Sequence, residues 1–444
     1  MPSAVAPTRR ANDTLNLRCT TLVKRTKYDM NKNNTFALRA RWVFPIERPP
    51  VPNGIVTIAQ GRIVAIGQNT SGQPPLNLGN VALLPGLINT HTHLEFSELP
   101  EPLGRAGCSF VEWVAAVIAE RRERESAVDS AEPWQAAAVE QGLKECTRYG
   151  TVAVGEIATA AAVTESCGAS SLDCTVFREL LGLDPSRIDP LMTLAREHVA
   201  AAQSEAAVWR AGLSPHAPYS VHPSLLPQLC QLSRETGVPV AMHLAETREE
   251  LELLDTGGGD FVPLLQWLDA WHPDAIPRGT KPMDYLQVLA QADRALIIHG
   301  NYLNDDEHKF LAEHNERMSV VYCPRTHAYF RHPHYPLARM LAAGVNVALG
   351  TDSRASNPDL NLFAEMRSIY RRHPHVAPAD VLRLGTINGA KSLGLQDHFG
   401  SIMVGKRADF ASIGLPNVVD DDPFDLLFGS PFPVQRLCFA GSNT

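Results

Sequence analysis

The sequence lacks several features that would define its class at once. Its eight cysteines include no C-x-x-C pair, and no apolar run reaches the roughly 20 residues that a membrane helix needs. No G-x-G-x-x-G motif follows the first strand of the predicted core. The formal net charge is −8, so positive charge is not in excess. These absences argue against a disulfide scaffold, a thiolate zinc site, a membrane protein, a dinucleotide-binding sheet and a nucleic-acid-binding protein.

The overall composition is that of an ordinary globular protein. The chain has 444 residues, of which 44% are hydrophobic and 20% charged, enough for one large domain with or without a small one. Scattered cysteines suit a reducing compartment, so we expect a cytoplasmic protein with a small-molecule partner. Residues 1–35 are polar and rather basic and lack the apolar core of a signal peptide. We predict that they form a disordered extension, with Met30 as an alternative start.

The middle of the chain alternates short apolar runs with longer helical patterns. Such runs show little polar alternation, as expected of parallel strands buried on both faces. The runs are Leu83–Asn89, Thr151–Ile157, Cys174–Leu180, Ala211–Pro215, Pro239–Leu244, Ala295–Gly300, Met318–Cys323 and Val345–Thr351. Amphipathic segments such as Trp134–Tyr149, Pro223–Thr236 and Asp305–Asn315 lie between them. The pattern predicts an α/β fold with a (β/α)₈ barrel over residues 83–399; a doubly wound sheet is the alternative.

Both ends of the chain have a different texture, with short strands separated by turn residues. "GIVTIAQGRIVAIG", Gly54 to Gly67, predicts a hairpin around Gln60-Gly61, and similar strand character returns in "GSIMVGKRADFASIG", Gly400 to Gly414. We predict a small composite β-sandwich made of residues 36–82 and 400–444. The long connection from Glu246 to Arg294 is either a substrate lid or a surface insertion.

Three H-x-H pairs occur among the sixteen histidines, so one pair alone is a weak signal. His332/His334 and His373/His375 flank prolines and are interpreted as surface features. Only His91/His93 follows a predicted barrel strand at its C-terminal end, where barrel enzymes place their chemistry.

Other predicted barrel strands also end in polar residues. "VAMHLAE" supplies His243 and Glu246, "LIIHGN" supplies His299, and "VALGTDS" supplies Asp352. Packing does not explain this recurrence, because barrel interiors are filled by branched apolar side chains. Imidazole nitrogens and carboxylate oxygens suit one divalent ion, and a catalytic site keeps one position open for water. The strand ends therefore predict a metal-dependent hydrolase.

With these residues in place, the sequence resembles the amidohydrolase superfamily from about Phe36 to the end. The matching segments are "LPGLINTHTHLE", "SPHAPYS", "MHLAET", "IIHGNYL", "LGTDS" and "GSIMVGKRADFASI". The resemblance implies a homodimer and a bound divalent metal, Zn²⁺ or alternatively Fe²⁺. It implies a single ion, because no lysine follows a strand at the place where binuclear members carry their bridging lysine. It implies Glu246 as the proton shuttle, with His299 and Asp352 deprotonating the attacking water. The implied metal ligands are His91, His93, His243 and Asp352.

The resemblance is strongest to the aminohydrolase branch, which implies hydrolytic deamination of a 6-aminopurine nucleoside or a related N-heterocycle. An aminodeoxyfutalosine- or adenosine-type substrate is the leading expectation. A triazine chlorohydrolase or aminohydrolase, or a cyclic-amide hydrolase of the imidazolonepropionase type, are the alternatives. The candidate substrate-binding residues are His216, Glu95 and Arg178, although Arg178 and Glu179 could instead pair with each other. His327 and Tyr329, in "CPRTHAYF", depart from the Cys-Pro-x-Ser-Asn form of guanine and adenosylhomocysteine deaminases.

Overall fold

The computed structural model describes residues 35–69, 74–127, 134–418 and 422–437. Nearly all of the predicted N-terminal extension lies outside these ranges. The strands in chain order are β1 (Phe36–Arg39), β2 (Trp42–Val43), β3 (Val51–Pro52), β4 (Ile55–Ala59), β5 (Arg62–Gly67), β6 (Leu76–Asn77), β7 (Val81–Pro85), β8 (Leu87–Thr92), β9 (Thr151–Ala158), β10 (Asp173–Leu180), β11 (Arg210–Pro215), β12 (Val240–Leu244), β13 (Ala295–His299), β14 (Met318–Tyr322), β15 (Val347–Leu349), β16 (Phe410–Gly414) and β17 (Val434–Leu437).

Helices pack around and between these strands. In chain order they are α1 (Phe110–Ala127), α2 (Trp134–Arg148), α3 (Ala162–Gly168), α4 (Ile188–Ala202), α5 (Leu225–Thr236), α6 (Arg248–Thr256), α7 (Phe261–Trp267), α8 (Pro282–Leu289), α9 (Asp305–Glu313), α10 (Pro324–Tyr329), α11 (Leu337–Ala343), α12 (Leu362–Arg372), α13 (Pro378–Leu384), α14 (Ile387–Ser392) and α15 (Pro423–Phe428). Two 3₁₀ turns, Leu94–Phe96 and Pro185–Arg187, interrupt the loops. Among the helices described, none has both the length and the apolar character needed to cross a membrane.

Strands β8 to β15 form one parallel sheet in sequential order. Its two edges meet, because the Asp352 N–H donates to the His91 carbonyl at 3.1 Å and Thr90 Oγ1 donates to the Leu349 carbonyl at 2.7 Å. The predicted (β/α)₈ barrel is therefore confirmed, and β9 to β15 lie within two residues of the predicted runs. The first predicted run, Leu83–Asn89, is wrong as a single strand because it spans the end of β7 and the start of β8.

Gly86 separates these two strands for a steric reason. A Cβ atom at this position would lie 2.2 Å from Cγ1 of Val152, so no larger residue fits the close approach of β8 to β9. The chain passes from the small sheets into the barrel at this glycine.

Two small sheets stand beside the barrel and join both ends of the chain. Their strand orders are β5-β4-β1-β6 and β17-β16-β7-β2-β3, and β16 pairs antiparallel with β7. Leu38 and Val56 of the first sheet share one buried cluster with Leu83 and Phe410 of the second, which gives the composite β-sandwich a core of its own.

The predicted hairpin is confirmed. β4 and β5 pair antiparallel across Gln60 and Gly61, whose φ angles are 52° and 71° as a type I′ turn requires. The segment from Gly400 to Gly414 was expected to resemble the N-terminal hairpin in its strand content. It contains a single strand, β16.

The long connection after β12 folds into α6, α7 and α8. Phe261, Leu264 and Leu265 of α7 line the cavity at the mouth of the barrel. Part of this connection therefore lies over the cavity rather than on a remote surface.

Candidate metal and catalytic site

The barrel brings the predicted strand-end residues together at one mouth. His91 lies on β8 and His93 directly after it, His243 lies on β12, His299 ends β13, and Asp352 follows β15. The C-terminal ends of parallel barrel strands converge at the same face, so side chains far apart in sequence meet there. The His91 ring centroid lies 4.8 Å from that of His93 and 5.0 Å from that of His243.

These side chains form two overlapping sets of donor atoms. One nitrogen each from His91, His93 and His243 lie within 4.8 Å of one another, and so do donor atoms of His91, His299 and Asp352. Asp352 Oδ1 lies 3.5 Å from His91 Nε2 and 3.8 Å from His93 Nε2. The set is suited to a divalent ion with nitrogen and oxygen ligands.

His91 provides the strongest indication that the residues fit a metal. It is fully buried, and neither of its ring nitrogens makes a hydrogen bond within the described residues. Buried polar atoms are almost always satisfied, so an unpartnered imidazole among further donors calls for a ligand. A divalent ion would satisfy it.

Neighbouring groups orient the donors. His243 Nδ1 lies 3.0 Å from the His216 carbonyl, and a hydrogen bond there leaves Nε2 free to face the other donors. Ser356 Oγ donates to Asp352 Oδ2 at 3.0 Å. The buried carboxylate of Glu156 accepts the Leu94 N–H at 2.9 Å and thereby fixes the turn that follows His93.

Burial sets the protonation of the site. It lowers the pKa of His93 and of His243 well below the ordinary histidine value, and neighbouring imidazoles lower both further. Burial alone would raise the pKa of Asp352, but contact with His91 and with nearby imidazoles lowers it below its ordinary value. Neutral imidazole and ionised carboxylate are the forms that bind metals.

Glu246 stands in the opposite electrostatic situation. Its carboxyl group is buried, and burial together with the Asp352 carboxylate raises its pKa well above the ordinary value. Glu246 Oε1 lies 3.4 Å from Nε2 of His299, whose own pKa burial lowers to about 3. Burial thus shifts the pKa values of this neighbouring acid and base in opposite directions, as is common at sites of acid–base catalysis.

The backbone at these strand ends is strained. Ala245, His299 and Asp352 have φ angles of 52°, 66° and 57°, in the left-handed region that residues other than glycine seldom adopt. Tyr335 Oη donates to the His299 carbonyl at 3.0 Å. Such strain persists only where surrounding contacts hold it, and it concentrates at functional sites.

A cavity of about 540 Å³ opens onto these residues. Most of its wall is apolar, with Tyr219 and Phe261 stacked at a centroid distance of 4.2 Å. The volume suits a small organic ligand with a few polar anchors. The apolar lining includes Phe96, Phe110, Trp113, Val117, Leu181, Leu183, Leu264, Leu265 and Leu268.

The predicted substrate-binding residues do not all lie at this cavity. His216 lines it, with Nε2 4.0 Å from Glu179 Oε1 and Nδ1 2.7 Å from Ser220 Oγ. Glu95 lies behind the lining, where it forms an ion pair with Arg121 at 2.5 Å. Arg121 itself lines the cavity. Sequence analysis missed Arg121. Glu95 lines a smaller adjacent cavity and contacts the wall of the main one through its ion pair with Arg121.

Arg178 lies outside the main cavity for a reason of strand geometry. Successive side chains of a strand face opposite sides, and here Glu179 lines the main cavity while Arg178 does not. Arg178 lines a smaller adjacent cavity of about 330 Å³, and its Nε and Nη1 atoms have no hydrogen-bond partner among the described residues. No ion pair joins Arg178 to Glu179 in the described part of the chain.

In each of the two histidine pairs interpreted as surface features, only one histidine is exposed. His334 and His375 are exposed, but His373 is buried beside Tyr322 and His332 is half-buried against Tyr302. Their positions depend on the packing of the loops that follow β14 and α12, which the local sequence does not reveal.

The two residues that depart from the deaminase motif lie outside the main cavity. His327 is buried on α10, with its ring centroid 5.3 Å from that of His332. Tyr329 donates a hydrogen bond from its hydroxyl to the Leu103 carbonyl.

Comparison with known proteins agrees with this geometry. The model of the Amidohydrolase family matches residues 82–434. The chain belongs to the amidohydrolase family. The resemblance found in the sequence is thereby confirmed, and this amidohydrolase is a metal-dependent hydrolase of carbon–nitrogen bonds.

Among its relatives, a 5-methylthioadenosine/S-adenosylhomocysteine deaminase of Moorella thermoacetica is 28% identical over 397 residues, covering 84% of each chain. An aminodeoxyfutalosine deaminase of Nitratiruptor is 28% identical over 344 residues, covering 76% of this amidohydrolase and 80% of the relative.

Solved structures share the fold. An adenosine deaminase from Xanthomonas campestris with bound zinc has a TM-score of 0.72 at 24% identity, covering 90% of each chain. A triazine hydrolase from Arthrobacter aurescens has a TM-score of 0.73 at 20% identity, covering 89% of this amidohydrolase and 91% of that chain.

Proposed function

We propose that this amidohydrolase is a hydrolytic deaminase of a 6-aminopurine nucleoside that carries an apolar substituent at its 5′ carbon. The observation that carries the proposal is the buried carboxyl group of Glu246, which lines the cavity beside the converging metal donors with its Oε1 3.4 Å from His299 Nε2. The names of the relatives, which act on adenosine-type nucleosides, support the substrate class.

We assign the metal to a single site, with zinc as the expected ion. A divalent ion bound there would lower the pKa of a coordinated water to about 7. The unpartnered nitrogens of His91 support the assignment. The proposed ligands are His91, His93, His243 and Asp352.

The chain's own residues supply the proton transfers. His299 and Asp352 belong to one of the two sets of converging donor atoms and accept the proton that the attacking water loses. Glu246 donates a proton to the purine ring nitrogen next to the carbon under attack and so neutralises the charge that develops there. After the water oxygen bonds to that carbon, the proton taken from the water passes to the amino group, which leaves as ammonia. The remaining hydroxyl proton of the adduct returns to Glu246, and the product is the hypoxanthine nucleoside.

The shape of the cavity supports the 5′ substituent. Beyond the polar floor, the aromatic and branched side chains of α1 and α7 leave an apolar space that adenosine alone does not fill. Arg121, Glu179 and His216 are the polar groups available to the ribose. Glu95 acts through its ion pair with Arg121, and Arg178 reaches only substituents long enough to enter the adjacent cavity.

A nucleoside panel tests the proposal. Zinc-loaded protein is incubated with adenosine, 5′-methylthioadenosine and adenosine-type nucleosides with larger 5′ groups, and conversion is followed by absorbance and by ammonia release. We expect kcat/KM to be higher for the apolar 5′-substituted compounds than for adenosine. Chloride release from a chlorotriazine, with no ammonia from any nucleoside, would instead support the triazine alternative. Ring opening of imidazolonepropionate would support the cyclic-amide alternative.

A further inference from the structure

The loop that carries Glu246 adopts a backbone conformation that needs outside support. It leaves β12 at Leu244, and the next residue, Ala245, is fully buried with a φ of 52°. A left-handed alanine is strained and persists only where its surroundings hold it. The direction in which Glu246 points depends on this one residue.

Glu250 meets that need from the first turn of α6. Its side chain is fully buried, Oε1 accepts the Ala245 N–H at 2.8 Å, and Oε2 accepts the Glu246 N–H at 2.8 Å. The two oxygens of one carboxylate thus hold two consecutive N–H groups. In an ordinary capping box the same carboxylate would accept the N–H of the cap residue, Thr247.

The opposite side of the loop is held by the segment after β13. Asn301 Nδ2 donates to the Glu246 carbonyl at 3.0 Å, and the Tyr302 N–H donates to the Ala245 carbonyl at 3.0 Å. Both N–H groups and both carbonyl groups of Ala245 and Glu246 are therefore hydrogen-bonded. Their partners belong to α6 and to the segment after β13.

We propose that Glu250 and Asn301 are positioning residues that clamp the backbone of Ala245 and Glu246 and aim the Glu246 carboxyl group at His299. Neither residue lines the cavity, so each acts through Glu246. Burial raises the pKa of Glu246 most, and the carboxyl groups of Asp352 and Glu250 raise it further.

Glu250→Gln tests the clamp, because an amide oxygen accepts one of the two N–H groups and its nitrogen repels the other. Glu307→Gln is the matched control. Glu307 is equally buried, lies in the first turn of α9, and accepts the Asn304 N–H at 2.7 Å, but it lies away from the cavity lining. We expect both variants to lower the unfolding midpoint by similar amounts. Only Glu250→Gln should lower kcat, by about ten- to a hundredfold with KM changed less than threefold.

A second readout does not depend on catalysis. Amide hydrogen exchange at Ala245 and Glu246 should be at least tenfold faster in Glu250→Gln than in the wild type and unchanged in Glu307→Gln. Unchanged exchange at these amides, or an equal loss of kcat in both variants, would overturn the clamp. If Glu250→Gln does not fold, Asn301→Ala must show the same fall in kcat, and wild-type kcat there would overturn it.

The kinetic part of this inference rests on the proposed function. Failure of that function would appear as no turnover of any nucleoside by the wild-type protein. Failure of the clamp would appear as unaltered amide exchange in the variants, so the two failures are distinguishable.

Discussion

Replacing Glu246 by glutamine removes the proposed proton donor while keeping the size of the side chain. Glu246 is 4% exposed, and its carboxyl oxygen lies 3.4 Å from His299 Nε2. General acid catalysis contributes about 10²–10⁴ in rate, equal to about 3–5 kcal/mol of activation free energy. We expect Glu246→Gln to lower kcat by that factor.

Metal content should be unchanged in this variant, because Glu246 belongs to neither set of converging donor atoms. The assay is ammonia release by zinc-loaded protein, with bound metal measured on the same sample. Glu252→Gln, an exposed position on the same helix α6, is the control and should keep wild-type kcat. A kcat of Glu246→Gln within threefold of the wild type would refute the assigned role.

Further changes test the metal, the substrate contacts and the buried histidines. His91→Ala should lose bound zinc and all measurable turnover, whereas His375→Ala, at an exposed position, should keep both, as elemental analysis and rate measurements will show. His216→Ala keeps the carbonyl that holds His243 and should raise KM about tenfold, the equivalent of one hydrogen bond of about 1.4 kcal/mol, with a smaller effect on kcat; a kcat loss at unchanged KM would contradict a binding role. Burial lowers the pKa of His373 to about 4, below the value near 6.5 in the unfolded chain. Between these two pH values the unfolded state binds a proton that the folded state does not. The free energy of unfolding therefore falls as the pH drops from about 6.5 to about 4. Urea denaturation should show a smaller acid loss in His373→Gln, by at most about 3 kcal/mol; equal losses would contradict this account.

The barrel was predictable because its strands are buried on both faces and therefore appear as uninterrupted apolar runs. The polar residues at the ends of those runs were equally visible, since the interior of a barrel offers no reason for His243, His299 or Asp352 except a site. The structure brings all of them to one mouth.

The walls of the cavity were harder to predict. Arg178 and Glu179 are neighbours in sequence, and only the facing of β10 decides which of them lines the cavity. Arg121 lies on a helix whose docking angle no local pattern encodes. Glu250 accepts the Ala245 and Glu246 N–H groups only because of the strained loop before it, which no local pattern encodes.

The central claim is that one metal ion among His91, His93, His243 and Asp352 supports deamination. The most direct measurement is zinc titration of chelator-treated protein, with ammonia release from 5′-methylthioadenosine recorded at each addition. We predict no turnover without metal and a rate that rises linearly and stops rising at one zinc ion per chain. Full activity in the metal-free protein, or a rate that keeps rising to two ions per chain, would contradict the account.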